Sequence, residues 1–171
     1  LHHILMPLME EGGSGNDLAY GGADNDVVYG GDNNDSLLGN TGADVLFGED
    51  GEDVVDGGED NDQVFGGAGS DTISANEGDD AVDGGEGSDL LYGGLGNDQI
   101  NTGADAATDR NTVYGEEGAD ELVGTAGSDT LDGGVDNDVL RGGDNSDSLI
   151  GGLGQDAPVE GQERKFAVEE V

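Results

Sequence analysis

The sequence predicts an all-β solenoid in which paired nine-residue units wind two parallel sheets. Three observations predict it. From residue 12 to residue 159 the chain divides into units of nine with a single interruption. The eighth residue of almost every unit is aliphatic. Glycine, 36 of the 171 residues, recurs at set places within the unit. Self-similarity at a short fixed period is the mark of a stacked repeat architecture.

Residues 12–20 (GGSGNDLAY) and 21–29 (GGADNDVVY) are the first two units, and ten run without a slip to Asn101. Residues 102–114 form an irregular unit of thirteen, as if four residues were inserted, and five more units fill 115–159. Position 1 is Gly in 14 of 16 units, with Ala75 and Thr102 the exceptions. Position 4 is Gly, Asp or Asn in every regular unit, from Gly15 and Asp24 to Gly154. These residue types best tolerate positive φ, so position 4 is expected in a left-handed turn. Position 6 is Asp in 15 of 16 units and Asn111 in the irregular one. Position 8 is Val, Leu or Ile except at the two ends, Ala19 and Pro158.

Positions 7–9 suffice for one short strand. Alternation points position 8 one way and positions 7 and 9 the other. The remaining six residues must reverse the chain, so two units make one 18-residue coil with a strand on each side. Stacked coils bring position 8 between two parallel sheets. Eight coils at ~4.8 Å per strand give a rod of about 35–40 Å.

Composition alone points the other way. Asp plus Glu number 41 against 4 Lys plus Arg, a formal net charge of −37. Low hydrophobicity with such charge describes a disordered chain. Yet Pro is nearly absent and the acids recur at fixed spacing instead of in blocks. In the stacked coil the position-6 carboxylates fall into two rows. Asp17, Asp35, Asp53, Asp71 and Asp89 share one edge, and Asp26, Asp44, Asp62, Asp80 and Asp98 the other. Carboxylates stacked ~5 Å apart repel unless cations lie between them. The candidate ligands are all oxygens, from carboxylates and Gly-rich turn carbonyls, a set that suits Ca²⁺ better than Mg²⁺. With no Cys there is no thiolate site and no disulfide framework.

The pattern G-G-x-G-x-D-x-U-x, with U aliphatic, resembles the RTX (hemolysin-type calcium-binding) repeat, and sixteen tandem units over residues 12–159 carry the resemblance. It implies a right-handed parallel β-roll with each Ca²⁺ between successive turns, held by turn carbonyls and position-6 carboxylates. Those are Asp17, Asp26, Asp35, Asp44, Asp53, Asp62, Asp71, Asp80, Asp89, Asp98, Asp120, Asp129, Asp138, Asp147 and Asp156. About a dozen ions would add roughly +24 and offset most of the acidic charge. The resemblance further implies a bacterial extracellular protein, exported unfolded through a type I channel, whose binding of calcium and folding are one event. A structural rather than catalytic module follows. The alternatives are a calcium-dependent matrix, surface-layer or fibre protein, and the RTX portion of a larger secreted toxin or enzyme.

Around this array, residues 1–11 read as an apolar cap or linker and 160–171 as a C-terminal tail. The irregular unit is expected to bulge, with a missing or weakened site at Asn111. Tyr29, Phe47 and Phe65 at position 9, beside Val27 and Val45, form an outward apolar ladder that Leu1 to Met9 folds back to cover or that, like the coil ends, offers self-association. His2-His3 reads as part of the capping segment rather than a metal pair. EF-hand spacing fails at Val28, HExxH and GxSxG are absent, and four basic residues exclude a nucleic-acid footprint. Position 3 lacks the Thr array of ice-binding relatives. No stretch has the ~20 apolar residues of a transmembrane helix.

Overall fold

The computed structural model describes residues 9–104, 106–159 and 166–168, with side chains described over 12–104 and 106–157. Among them there is no helix, and eighteen strands form two nine-stranded parallel sheets. Strands alternate between the sheets along the chain, so each coil contributes one strand to each. One sheet begins with Met9–Ser14, Val27–Asp32, Val45–Asp50 and Gln63–Ala68 and carries the even-numbered units. The other begins with Leu18–Ala23, Ser36–Thr41 and Val54–Glu59 and carries the odd-numbered ones. Outside the irregular unit and the last strand, pairing runs at an offset of 18 residues, as in Val28↔Leu46 and Leu37↔Val55.

The position-8 residues lie between the sheets as a single file. Fifteen of them, Ala19 to Leu149, are at most 3% exposed. Ala75, a position-1 residue, completes the buried apolar cluster. Positions 7 and 9 face outward, as the alternation requires.

The strands are longer than the three residues that alternation alone demands. Most span six, from position 7 through position 3 of the next unit, leaving three residues for the turn. Position 2 adopts positive φ in all sixteen units, and in the six-residue strands the chain bends there without losing its pairing. Position 4 is left-handed as expected, except at Gly51 and Gly154. Position 2 is the stricter site, although Glu49 (φ 75) and Glu116 (φ 77) occupy it. At Thr125 (φ 56) a β-branched residue is held there by its hydroxyl, which donates to Gly103 O at 2.8 Å and lies 3.0 Å from the Thr102 hydroxyl.

The irregular unit loops out its four extra residues and then resumes register, since Gln99–Asn101 pairs with Glu121–Val123 at an offset of 22. A turn closed by Asp109, whose N–H donates to Ala106 O, lies in this loop. At the ends, Met9–Ser14 already belongs to the even sheet, and Phe166–Val168 of the tail pairs with Ser148–Leu153. The rest of the expected cap, residues 1–8, lies outside the described residues, as do His2 and His3.

Position 2 gives a direct test. Gly67 has φ +114, and a β-carbon there would overlap the backbone carbonyl of Glu49 one coil below. Gly67→Ala should lower stability by about 1–2 kcal/mol or more, read as a lower denaturation midpoint in calcium-containing buffer.

Candidate metal centre

Each turn presents its position-6 Asp to the turn one coil away. The backbone N–H of Asp17 donates to Asp35 Oδ1 at 2.7 Å, that of Asp35 to Asp53 Oδ1 at 2.8 Å, and that of Asp53 to Asp71 Oδ1 at 2.8 Å. The other row repeats this from Asp26 N–H onto Asp44 Oδ1 through Asp138 N–H onto Asp156 Oδ1. The thirteen carboxylates from Asp26 to Asp147 are at most 4% exposed. Asp17 and Asp156, at the ends of the rows, are half-buried.

From Asp35 and Asp44 onward, Oδ1 of each row carboxylate accepts such a bond. The Oδ2 atoms of Asp35, Asp44, Asp53, Asp62, Asp71, Asp80, Asp98, Asp120, Asp138 and Asp147 are buried and accept no hydrogen bond. Except for Asp80, whose unit begins with Ala75, each lies against the glycine at position 1 of its own unit. A β-carbon on Gly57 would come 2.6 Å from Asp62 Oδ2, and one on Gly66 2.5 Å from Asp71 Oδ2. Glycine at position 1 thus makes room for the carboxylate, a role distinct from turn flexibility.

Burial has an electrostatic consequence. Desolvation, reinforced by the carboxylates above and below, pushes Asp62, Asp71, Asp98 and Asp138 up to about 7, and desolvation with the nearby Asp136 pushes Asp120 up to about 6. The backbone N–H on Oδ1 offsets only part of this. Asp44, Asp53, Asp80 and Asp147 are raised for the same leading reason. A row of buried anions that resists ionisation is a row that a cation would stabilise.

The residues fit a hard cation in donor type. Every side-chain donor in the rows is oxygen except the Asn111 amide. Among the described residues no three acidic or imidazole side chains converge, so carboxylates from neighbouring turns would need backbone carbonyls to complete a shell. That mixture is the usual Ca²⁺ environment.

Asn111 breaks the row in a specific way. Its Oδ1 accepts from Asp89 N–H at 2.7 Å, as an Asp would. Its Nδ2 donates to Asp129 Oδ1 at 3.3 Å. An amide donor thus stands where other rungs bring a second carboxylate oxygen. The expected weak point is a rung closed by hydrogen bonds.

A second ladder escaped the sequence reading. Position-5 side chains accept from position-5 N–H groups of the following coil: Ala43 N–H onto Asn25 Oδ1 at 3.2 Å, Asn97 N–H onto Asp79 Oδ1 at 2.8 Å, and Gln155 N–H onto Asn137 Oδ1 at 2.7 Å. It runs opposite in sense to the position-6 ladder. The signal was the recurrence of Asn, Asp and Ser at position 5.

A family model of the RTX calcium-binding nonapeptide repeat, four copies long, matches this chain at residues 11–37, 29–64, 38–73, 57–91, 65–100, 74–109, 105–131 and 123–157. A comparison with curated proteins finds no match.

Two outcomes follow from the rows. Burial raises Asp62, Asp71, Asp98 and Asp138 to about 7 from the ordinary 3.8, so between these values the folded state binds more protons. Its metal-free stability therefore rises as pH falls from about 7 toward 4 and is lost as pH rises again. Metal-free circular dichroism should show β signal growing over that window. Asn111→Asp should add about one bound Ca²⁺ by calorimetry and diminish any β signal left without metal.

Proposed function

Because the chain belongs to the RTX calcium-binding nonapeptide-repeat family, we propose that it is a secreted, extracellular structural module that folds as it binds multiple Ca²⁺ ions between stacked turns. The observation that carries this reading is the set of buried, unpartnered Asp Oδ2 atoms along both edges. The ligands are the position-6 carboxylates Asp17 through Asp156 already named, with turn carbonyls beside them. Bound calcium supplies positive charge and oxygen coordination; the chain supplies two pre-aligned rows and the backbone that fixes their spacing. A core of one aliphatic residue per nine cannot hold 41 acidic residues together alone. Binding energy is then folding energy. The bacterial type I route suits a chain kept unfolded by low cytosolic calcium and folded by millimolar calcium outside.

A second reading is assembly. The sheet order places Met9–Ser14 and Leu18–Ala23 at one end of the rod and Ala157–Val159 and Phe166–Val168 at the other. Leu18 and Tyr20 on the first coil are 55% and 51% exposed. Terminal strands of a solenoid offer backbone edges to a second copy. Sedimentation at saturating calcium separates the readings: end-to-end growth supports assembly, and a strict monomer dismisses it.

Circular dichroism during EGTA titration tests the main reading. The β spectrum should collapse on chelation and return with calcium; a spectrum indifferent to EGTA sinks it. Asp62→Asn and Asp71→Asn, inside opposite rows, should each reduce the number of bound ions and raise the calcium midpoint of folding, while Asp132→Asn on the outer face should leave both unchanged.

A further inference from the structure

The outer face of the even sheet changes character at Phe65. Tyr29, Phe47 and Phe65 stack at 4.8 and 4.9 Å between ring centroids, with interplanar angles of 9°. That spacing is the strand spacing, so each ring covers its neighbour's face. The next residue in register after Phe65 is Asp83, followed by Asn101 and Val123. No ring stands above Asp83, so the face of Phe65 turned away from Phe47 has no aromatic neighbour.

The shorter side chains leave a groove there. A hollow of about 320 Å³ is lined by Phe65, Ala81, Asp83, Gln99, Asn101 and Val123, among others. A second, of about 260 Å³, lies on the other side of the same carboxylate, with Glu86 at its rim. The groove therefore offers an aromatic face, a carboxylate beneath it, and two amide side chains alongside. Glu121 also reaches it, but is already paired with Arg141.

The occupant must suit all three features. A neutral ring would stack on Phe65 but cover the Asp83 carboxylate without replacing its water. A bare divalent ion would ignore the ring. A guanidinium group is planar, cationic and weakly hydrated. It stacks on aromatic faces and directs its donors in its own plane toward carboxylate and amide oxygens. The acidic excess left after about a dozen Ca²⁺ ions offset roughly +24 of the −37 also favours a cation.

We propose that this groove binds a guanidinium cation, the arginine side chain of a peptide partner, stacked on the open face of Phe65 and hydrogen-bonded to Asp83. The proposal goes beyond calcium binding and requires only the folded roll.

The test titrates the calcium-loaded chain with N-acetyl-arginine amide, its lysine counterpart, and the neutral isostere N-acetyl-citrulline amide, following ring resonances by NMR. Arginine should shift the Phe65 ring and bind more tightly than lysine or citrulline. Phe65→Leu, which keeps apolar bulk without the π face, and Asp83→Asn, which keeps shape without charge, should each weaken arginine roughly three- to fivefold. Asp132→Asn, which removes the same charge from the opposite sheet, should change nothing. Equal binding of lysine and arginine, or equal loss in Asp132→Asn and Asp83→Asn, would reduce the effect to general attraction by an acidic rod and overturn the proposal. So would a second copy seated on this face that arginine fails to displace. Circular dichroism on the same samples reports the fold, so indifference to EGTA would count against the calcium reading without touching the arginine result.

Discussion

Everything in this molecule depends on a carboxylate with one oxygen committed and one not. From the third unit onward, Oδ1 at position 6 anchors the turn of the neighbouring coil by its backbone N–H, as between Asp53 and Asp71. The same contact draws the side chain out of water, and Oδ2 goes with it. The anchoring bond sets the spacing of the coils; the burial it enforces creates an unfavourable field that only protons or cations relieve. Spacing and metal demand are consequences of one side chain. Asn111, which lacks the charge, keeps the rung and loses the anion.

This division explains the economy of the core. A single file of aliphatic side chains from Ala19 to Leu149 is too thin to hold a domain of this size by apolar burial. What holds the sheets in register is polar and lies at the edges, in the position-6 ladder and the opposed position-5 ladder. Asn111 shows that a rung can close without a second carboxylate oxygen when an amide donor takes that place. It is the one position-6 amide among the sixteen units.

Much of the architecture was legible because position encodes role. An aliphatic residue every nine, with Gly, Asp or Asn at position 4, is enough to infer coil, sheets and edges, and Leu46, Val64 and Leu91 lie where alternation placed them. The Asp rows followed from the same count. What stayed hidden depends on backbone geometry. Position 2 is left-handed even at Glu49 and Thr125, and side-chain identity there gives no warning. The need for glycine at position 1 arises from Asp Oδ2 atoms packed against it, a contact between residues five apart whose meaning appears only once the turn is built. The Tyr92–Tyr114 stack, at 5.2 Å, was obscured because its partners are 22 apart instead of 18.

That offset of 22 has a wider meaning. The four additional residues leave the pairing on either side intact: Leu91 still meets Val113, and Ile100 still meets Leu122. Because every contact that defines a coil is made with its nearest neighbours, a change of length at a corner is invisible one rung away. The rod therefore separates two kinds of information. Its strands fix a rigid lattice, while its corners are places where chain can be spliced in and displayed without rewriting the lattice. In the segment between Asn101 and Thr112, the protein already carries one such graft.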